Sequence, residues 1–131
     1  LLSGSVYADV ECKGYVVEGA MKNAATQGGG ISVSFHDVTV EQLTSRTGVS
    51  VKATISEANG KFPAVLETKP VAQASKMDLR MSVGNGAYTS TGKLLWSTKN
   101  DTNEPLIVHF DYTSVNGKSD GYCMMTCEER R

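Results

Sequence analysis

Three Asn-Gly dipeptides divide much of the chain into paired segments whose side chains alternate between polar and apolar. They stand at residues 59–60, 85–86 and 116–117 of a 131-residue sequence. Asn-Gly suits a type I′ turn because both central residues of that turn take positive φ, and a two-residue turn fixes the cross-strand register. The pattern predicts three hairpins, with further strands at 9–17 and 31–37. We therefore expect an all-β domain of about eight antiparallel strands, a sandwich or a small barrel, with one or two short helices.

Turns at the three dipeptides predict which residues face each other. In each hairpin one face becomes mostly apolar, and in the first two an opposite-charge pair falls on the reverse face, which supports the register. The predicted opposite pairs are Ala53 and Leu66, and Lys52 and Glu67, in the first hairpin; Met77 and Leu94, Asp78 and Lys93, and Val83 and Tyr88 in the second; and Leu106 and Cys127, Val108 and Met125, and Phe110 and Cys123 in the third.

Two residues inside the hairpins carry further information. Pro63 falls in the returning strand of the first hairpin, and because proline cannot donate to a ladder it indicates an edge position there. Gly92 faces Leu79 in the second hairpin, which indicates a bulge or a close approach by another backbone.

The chain contains three cysteines, Cys12, Cys123 and Cys127. Alternation in the first strand turns Cys12 toward the core with Val10 and Val16, and the third hairpin turns both late cysteines inward. An odd count in an oxidising compartment favours one disulfide between the first and last strands and one thiol left over. We predict a Cys12–Cys127 disulfide, with Cys123 as the alternative partner, because the first strand should start beside the end of the last.

The run from Cys123 to Cys127 also suggests ligands for a soft ion such as Cu(I). Residues four apart in a strand are about 13 Å apart, so an extended run cannot share one ion. Met77 and Met81 would be further ligands, although methionine fills cores more often than it binds copper. Our main prediction is therefore that the protein has no metal site and no cofactor. A periplasmic copper-binding protein is the alternative function.

Residues 1–8 resemble the end of a secretory signal peptide, with an apolar start, a polar stretch and small residues before a break at Ala8/Asp9. We expect residues 1–8 to be a signal-peptide remnant outside any core, and residues 9–131 to form a single β-rich domain. The protein would then be exported to a bacterial periplasm, a cell surface or the medium. The triplet at 100–102 is a formal glycosylation acceptor that matters only in a eukaryotic host.

The region between the first strand and the first hairpin is less regular. Residues 18–26 favour a short helix or a flexible loop that ends at the glycines 28–30. After the next strand, either a bulge at His36-Asp37 redirects the chain or a second short helix begins. We favour the helix, which would run over residues 40–45 with Thr39 as its cap, Gln42 at its third position and Gly48 beyond its end.

Composition and motifs exclude several classes of function. The chain has 13 basic and 14 acidic residues, and the basic residues are scattered, so binding of nucleic acid or docking to an anionic membrane has no support. No apolar run approaches the roughly 18 residues of a membrane span. The glycines at 28–30 lack the Lys and Ser/Thr of a phosphate loop, and no nucleophile elbow, zinc-protease motif or Cys-x-x-Cys motif occurs. We predict no catalytic residues and no enzyme.

Small exported β-domains without catalytic groups commonly act through exposed loops or an open sheet face. The loops at 28–30 and 99–105 are candidates, and His36-Asp37 together with His109-x-Asp111 could form a metal or acid–base site. In the third hairpin, however, His109 and Asp111 fall on the face opposite the core, where polar residues are expected without any functional role. We therefore predict a non-enzymatic binding module for a protein or glycan partner, with its oligomeric state left open. The predicted binding patch consists of His109, Asp111, Tyr122 and Met124.

Overall fold

Eight antiparallel strands form a closed barrel in a computed structural model that describes residues 8–18, 26–58, 60–84, 88–96, 106–113 and 119–131. Each strand pairs with the next along the chain, and the last closes against the first. The prediction of an all-β fold is confirmed, and the architecture is the barrel and not the sandwich. The elements are β1 (Asp9–Glu18), β2 (Thr26–Phe35), α1 (Val40–Leu43), β3 (Ser50–Glu57), β4 (Gly60–Pro70), β5 (Lys76–Val83), β6 (Tyr88–Leu95), β7 (Leu106–Thr113) and β8 (Ser119–Arg130).

Apolar side chains fill the inside of the barrel. Strand alternation produces this core: in β4, for example, Ala64 and Leu66 are buried while Val65 between them is exposed. An eight-stranded barrel has an interior just wide enough for side chains to fill. The largest fully buried side chains are those of Phe35, Leu43, Leu66, Met77, Leu94, Met125, Val10, Val33 and Val108. Because these side chains occupy the interior, a binding site is best sought on the outer surface.

The second and third hairpins have the predicted registers. Lys93 lies opposite Asp78 and forms a salt bridge with it on the outer face. The dipeptides at 85–86 and 116–117 themselves lie outside the described residues. The confirmed pairs are Met77 and Leu94, Leu79 and Gly92, and Val83 and Tyr88 in the second hairpin, and Leu106 and Cys127, Val108 and Met125, and Phe110 and Cys123 in the third.

The register predicted for the first hairpin is wrong by two residues. Glu57 lies opposite Gly60, so the chain reverses one residue earlier than the predicted turn, of which Asn59 lies outside the described residues. Lys52 consequently faces Val65 instead of Glu67. A shift of two residues leaves every side chain on its own face, so hydrophobic alternation cannot detect it. Ala53 and Leu66 therefore keep their places in the core although they are not opposite each other.

Pro63 occupies a position where the ladder has ended on one side. The N–H of Thr68 donates to the carbonyl of Val49, the residue before β3, at 2.9 Å. Alternation along β4 then turns the nitrogen of Pro63 toward β5, and the ladder with β5 begins only at Ala64. The prediction of an edge position is thus correct locally, although the strand is paired on both sides beyond it, and the missing donor removes no ladder bond.

Gly92 and Gly14 mark places where neighbouring backbones come very close. A Cβ atom on Gly92 would overlap the carbonyl oxygen of His109, and one on Gly14 would overlap that of Met124. The close approach predicted for Gly92 is confirmed. Glycine at such positions lets strands bend sharply enough to close a small barrel.

Helix α1 covers one end of the barrel. Thr39 and Gln42 form the predicted capping box, in which each side chain accepts a hydrogen bond from the backbone N–H of the other residue. The helix ends at Leu43 and is therefore shorter than the predicted 40–45. The side chain of Leu43 is fully buried. Asp37 takes a left-handed φ of 54° and redirects the chain between β2 and the helix, and Gly48 follows with a φ of 77°.

Two expectations about the first half of the chain need correction. Ala8 was expected outside the core, yet it is only 2% exposed and its carbonyl accepts a hydrogen bond from Val38 at 2.9 Å. Cleavage directly after Ala8 would therefore remove a packed residue; residues 1–7 lie outside the described residues. The glycines at 28–30 belong to β2 and are not a loop. Within the 18–26 segment, residues 18 and 26 belong to strands, and residues 19–25 are not described.

Candidate binding face

Cys12 and Cys127 are joined in the predicted disulfide. They lie directly opposite each other in the ladder between β1 and β8, which the barrel closure creates. Cys123 is the thiol left over, and it is buried. Burial, together with the negative charge of Glu57, raises the pKa of the Cys123 thiol to about 11. This side chain is therefore a small apolar core residue in its chemistry, and a poor nucleophile or metal ligand.

The sulfur atoms of the late run do not form one cluster. Met124 is about half exposed on the outer face, whereas Met125, Met77 and Met81 are buried in the core. The disulfide occupies two of the three cysteine sulfurs. Among the described residues, no group of three or more His, Cys, Asp or Glu side chains is placed to hold a metal ion. The copper alternative gains no support from this arrangement.

The two histidines have separate surroundings. The Nε2 atom of His36 is 2.8 Å from the hydroxyl of Thr54, and its Nδ1 is 3.6 Å from a carboxylate oxygen of Asp9. His109 lies on the outer side of β7 between its opposite residues Lys93 and Met124. A joint metal or acid–base site of His36 with His109 is therefore not formed. The contacts of His36 with Asp9 in β1 and Thr54 in β3 connect the end of β2 to both neighbouring strands.

The predicted patch forms a continuous surface on the outside of β7 and β8. The rings of His109 and Tyr122 have centroids 5.1 Å apart with an interplanar angle of 31°. Met124 lies directly opposite His109 and is 49% exposed. Asp111 lies opposite Tyr122 in the register, but its side chain is not among those that the structure describes. Three of the four predicted side chains are thus brought together.

Tyr15 extends this surface onto β1. It lies directly opposite Met124 across the closing ladder and is 53% exposed. Alternation in β1 already placed Tyr15 outward, between the inward positions of Gly14 and Val16, but its proximity to Met124 follows only from the pairing of β1 with β8. The sequence reasoning therefore missed it. We call Tyr15, His109, Tyr122 and Met124 the outer aromatic face.

A groove of about 500 Å³ adjoins the outer aromatic face at Tyr15. It lies where β2 separates from β3, because the ladder between these strands runs only from Ser32 to Phe35. Its floor is formed by backbone and small residues, and Lys13 and Glu57 provide a charge of each sign. The groove is lined by Lys13, Gly14, Tyr15, Gly30, Ile31, Ser32, Ser56 and Glu57.

A second groove, of about 750 Å³, crosses the outer side of β4 to β7. Its charged side chains face partners of opposite sign on neighbouring strands: Glu67 lies opposite Arg80, and Asp78 stands between Lys69 and Lys93. These charges largely neutralise one another within the barrel. Cross-strand pairs of this kind stabilise a sheet, and they leave little net field to attract a charged ligand.

Comparisons with protein-family models, with curated proteins and with solved structures found no match. No helix in the described part of the chain is long and apolar enough to cross a membrane.

Proposed function

We propose that the protein is an exported, non-enzymatic binding module that engages its partner through the outer aromatic face. The observation that carries this proposal is the contiguous placement of Tyr15, Met124 and the paired rings of His109 and Tyr122 on three adjacent strands. Single exposed apolar residues are ordinary on any protein surface, whereas grouped aromatic and methionine side chains are typical of recognition surfaces.

The barrel prepares this face for binding. Strand β8 is paired with β1 on one side and with β7 on the other, so the backbones that carry the four side chains are held in ladders. Tyrosine has only two side-chain torsions and loses little entropy when it is immobilised. Aromatic side chains on a rigid sheet can therefore contribute most of the energy of an interface.

The disulfide supports the exported part of the proposal. Disulfides persist in oxidising compartments such as the periplasm and the extracellular space, and they are rare in the cytosol. The non-enzymatic part is supported by the positions of the two histidines. His109 stacks on Tyr122. His36 contacts the Thr54 hydroxyl, which is a nucleophilic group, and the Asp9 carboxylate, but none of these three residues lines either groove described above.

The test is a binding screen with matched surface variants. The purified full chain is applied to a glycan array and to a phage-displayed library of random 12-residue peptides, in parallel with Tyr15→Ala/Met124→Ala. Val65→Ala is the control, because Val65 is also an exposed apolar residue, 39% accessible, on β4 at the opposite side of the barrel.

We expect wild type and Val65→Ala to bind the same ligands. The double variant should bind them at least 10-fold more weakly, since two interface anchors together contribute about 2 kcal/mol or more. Absence of ligands in both screens, or equal binding by the double variant, would refute the proposal.

A further inference from the structure

We infer that the partner is a polypeptide, and that it adds an extended strand to β2 in the groove beside Tyr15. This inference rests on the proposed function and names the class of partner. It depends on a length of the β2 edge that has no β3 partner in the described part of the chain.

Strand β2 extends beyond its neighbour β3. It pairs with β1 from Phe35 back to Gly30 and again at Gln27 and Thr26, but with β3 only from Ser32 to Phe35. Strand β3 cannot follow it further, because the β3–β4 hairpin has already turned at Glu57. In the described part of the chain, residues 26–31 therefore have a strand on one side only.

The backbone groups of Gly30 point toward the unpaired side. The N–H of His36 donates to the carbonyl of Lys52, in β3, at 2.9 Å. In an antiparallel strand, alternate residues direct both the N–H and the C=O to the same neighbour. The register with β1 is unbroken from Phe35 to Gly30, so Gly30 directs both groups to the β3 side, beyond the last residue pair, Ser32 with Ser56.

The groove has room for another strand at this point. A Cβ atom added to Gly30 would meet only the carbonyl oxygen of Gly14, at 3.9 Å. Tyr15 lies directly opposite Gly30 in the β1–β2 ladder, with no side chain between its ring and the open edge. Aromatic side chains reach beyond a glycine to the next strand in this arrangement. An added strand would thus hydrogen-bond to Gly30 and contact Tyr15 with its outward side chains.

These features select a polypeptide over a glycan. The edge offers a donor and an acceptor from one residue, which is the pattern that an extended peptide backbone matches. On the inward side of the groove, Ile31 is half-buried and packs against the core. The peptide side chains that point inward would contact this apolar surface, so every second residue of the peptide should be apolar. Lys13 and Glu57 at the rim accept peptide side chains of either charge.

A flexible peptide fits this edge better than a second barrel does. The β1–β2 ladder shifts its register between Tyr15 and Val17, so β2 is irregular between Gly30 and Gln27. Such bulges make an edge a poor template for the regular edge of another folded sheet. A short segment that is disordered before binding can adjust to it.

The test uses Gly30→Pro with Gly30→Ala as its matched control. Proline removes the donor that faces the groove and fills the edge, while the bonds to β1 are made by the alternate residues of β2. Alanine keeps the N–H, and its Cβ fits. Binding of peptides enriched on the wild-type chain from the random 12-residue library should fall at least 10-fold in Gly30→Pro and change less than twofold in Gly30→Ala.

A second measurement needs no variant and compares the wild-type chain with and without bound peptide. Bound peptide should slow hydrogen exchange of the Gly30 amide at least 10-fold, and this result decides the inference if Gly30→Pro fails to fold by circular dichroism. Unchanged exchange overturns strand addition.

The remaining outcomes separate this inference from the proposed function. If peptides bind Gly30→Pro as well as wild type but lose binding to Tyr15→Ala/Met124→Ala, strand addition is overturned and the binding face stands. Binding of glycans without peptides has the same meaning. A dimer that Gly30→Pro dissociates, with no peptide enrichment, identifies a second copy as the occupant and also overturns the inference. Absence of any ligand refutes both proposals.

Discussion

Removing the disulfide should destabilise the barrel without abolishing it. The disulfide closes a loop in the unfolded chain between residues that are 115 positions apart, and Cys12→Ala/Cys127→Ala removes this constraint. In the chain-entropy account this loop contributes about 5 kcal/mol at 25 °C. A chain of this length has an unfolding entropy of about 0.27 kcal/mol/K, so loss of the loop closure alone should lower the melting temperature by roughly 18 °C.

The fold itself should survive because the bond only reinforces contacts that exist without it. Strands β1 and β8 pair continuously from Asp9 with Arg130 to Glu18 with Gly121. Alanine at both positions leaves small apolar side chains on the core face, and each substitution adds about 1 kcal/mol of packing loss. The far-ultraviolet circular dichroism spectrum should therefore stay that of a β protein.

Thermal unfolding followed by circular dichroism at pH 7 measures the effect. Wild type in excess reductant keeps both cysteine side chains, so its melting temperature should fall by the loop-closure amount alone, about 7 °C less than that of the double variant. Cys123→Ala keeps the disulfide and should lose only the packing of one buried side chain. A fall of less than about 5 °C in both the reduced protein and the double variant would refute the loop-closure reasoning. It would mean that the ends of the unfolded chain stay close without the bond.

Three further predictions concern single residues. Gly92→Ala should destabilise the protein by about 2–3 kcal/mol in urea unfolding, because its Cβ would overlap the carbonyl of His109, while Gly30→Ala should stay near neutral. The hydrogen bond from the N–H of Val40, and then Arg131, lower the pKa of the Glu129 carboxyl below its ordinary value of 4.5. The stability that Glu129 contributes is therefore present above pH 4.5 and is lost as the pH falls through the pKa of the folded state. In Glu129→Gln, the free energy of unfolding should consequently depend less on pH between about pH 6 and 3. The Cys123 thiol, buried with its pKa raised to about 11, should react with a thiol reagent at pH 8 only after denaturation.

Local patterns predicted the parts of the fold that adjacent segments determine. Alternation, opposite charges and glycine position agreed for the second hairpin, where Asp78 and Lys93 are paired as predicted. The capping box at Thr39 and Gln42 is likewise a short-range signal, and it formed. In the first hairpin, alternation was preserved but the turn moved, because an even shift is invisible to the hydrophobic pattern.

Closure of the barrel lay beyond such patterns, and the candidate face depends on it. Only the pairing of β1 with β8 brings Tyr15 opposite Met124. The inward phase of Cys12 and Cys127 was a long-range signal in the sequence, and it pointed to the same closure. Tyr15 is three residues from Cys12, so its outward neighbour on β8 could have been read from the disulfide register once that pairing was accepted.

The one wrong register also explains the open edge of β2. Continued beyond Ser32 and Ser56, the ladder between β2 and β3 would join Ile31 to Glu57 and then Gly30 to Ala58. A turn at residues 59–60 would have left Ala58 in the strand and able to pair. In the observed register Glu57 closes the hairpin, so Ala58 lies in the turn and Gly30 has no strand residue opposite it on that side in the described chain. A shift that leaves the core unchanged thus opens a gap in the ladder, and a small change in turn position can create a binding edge on a closed barrel without any loss of buried surface.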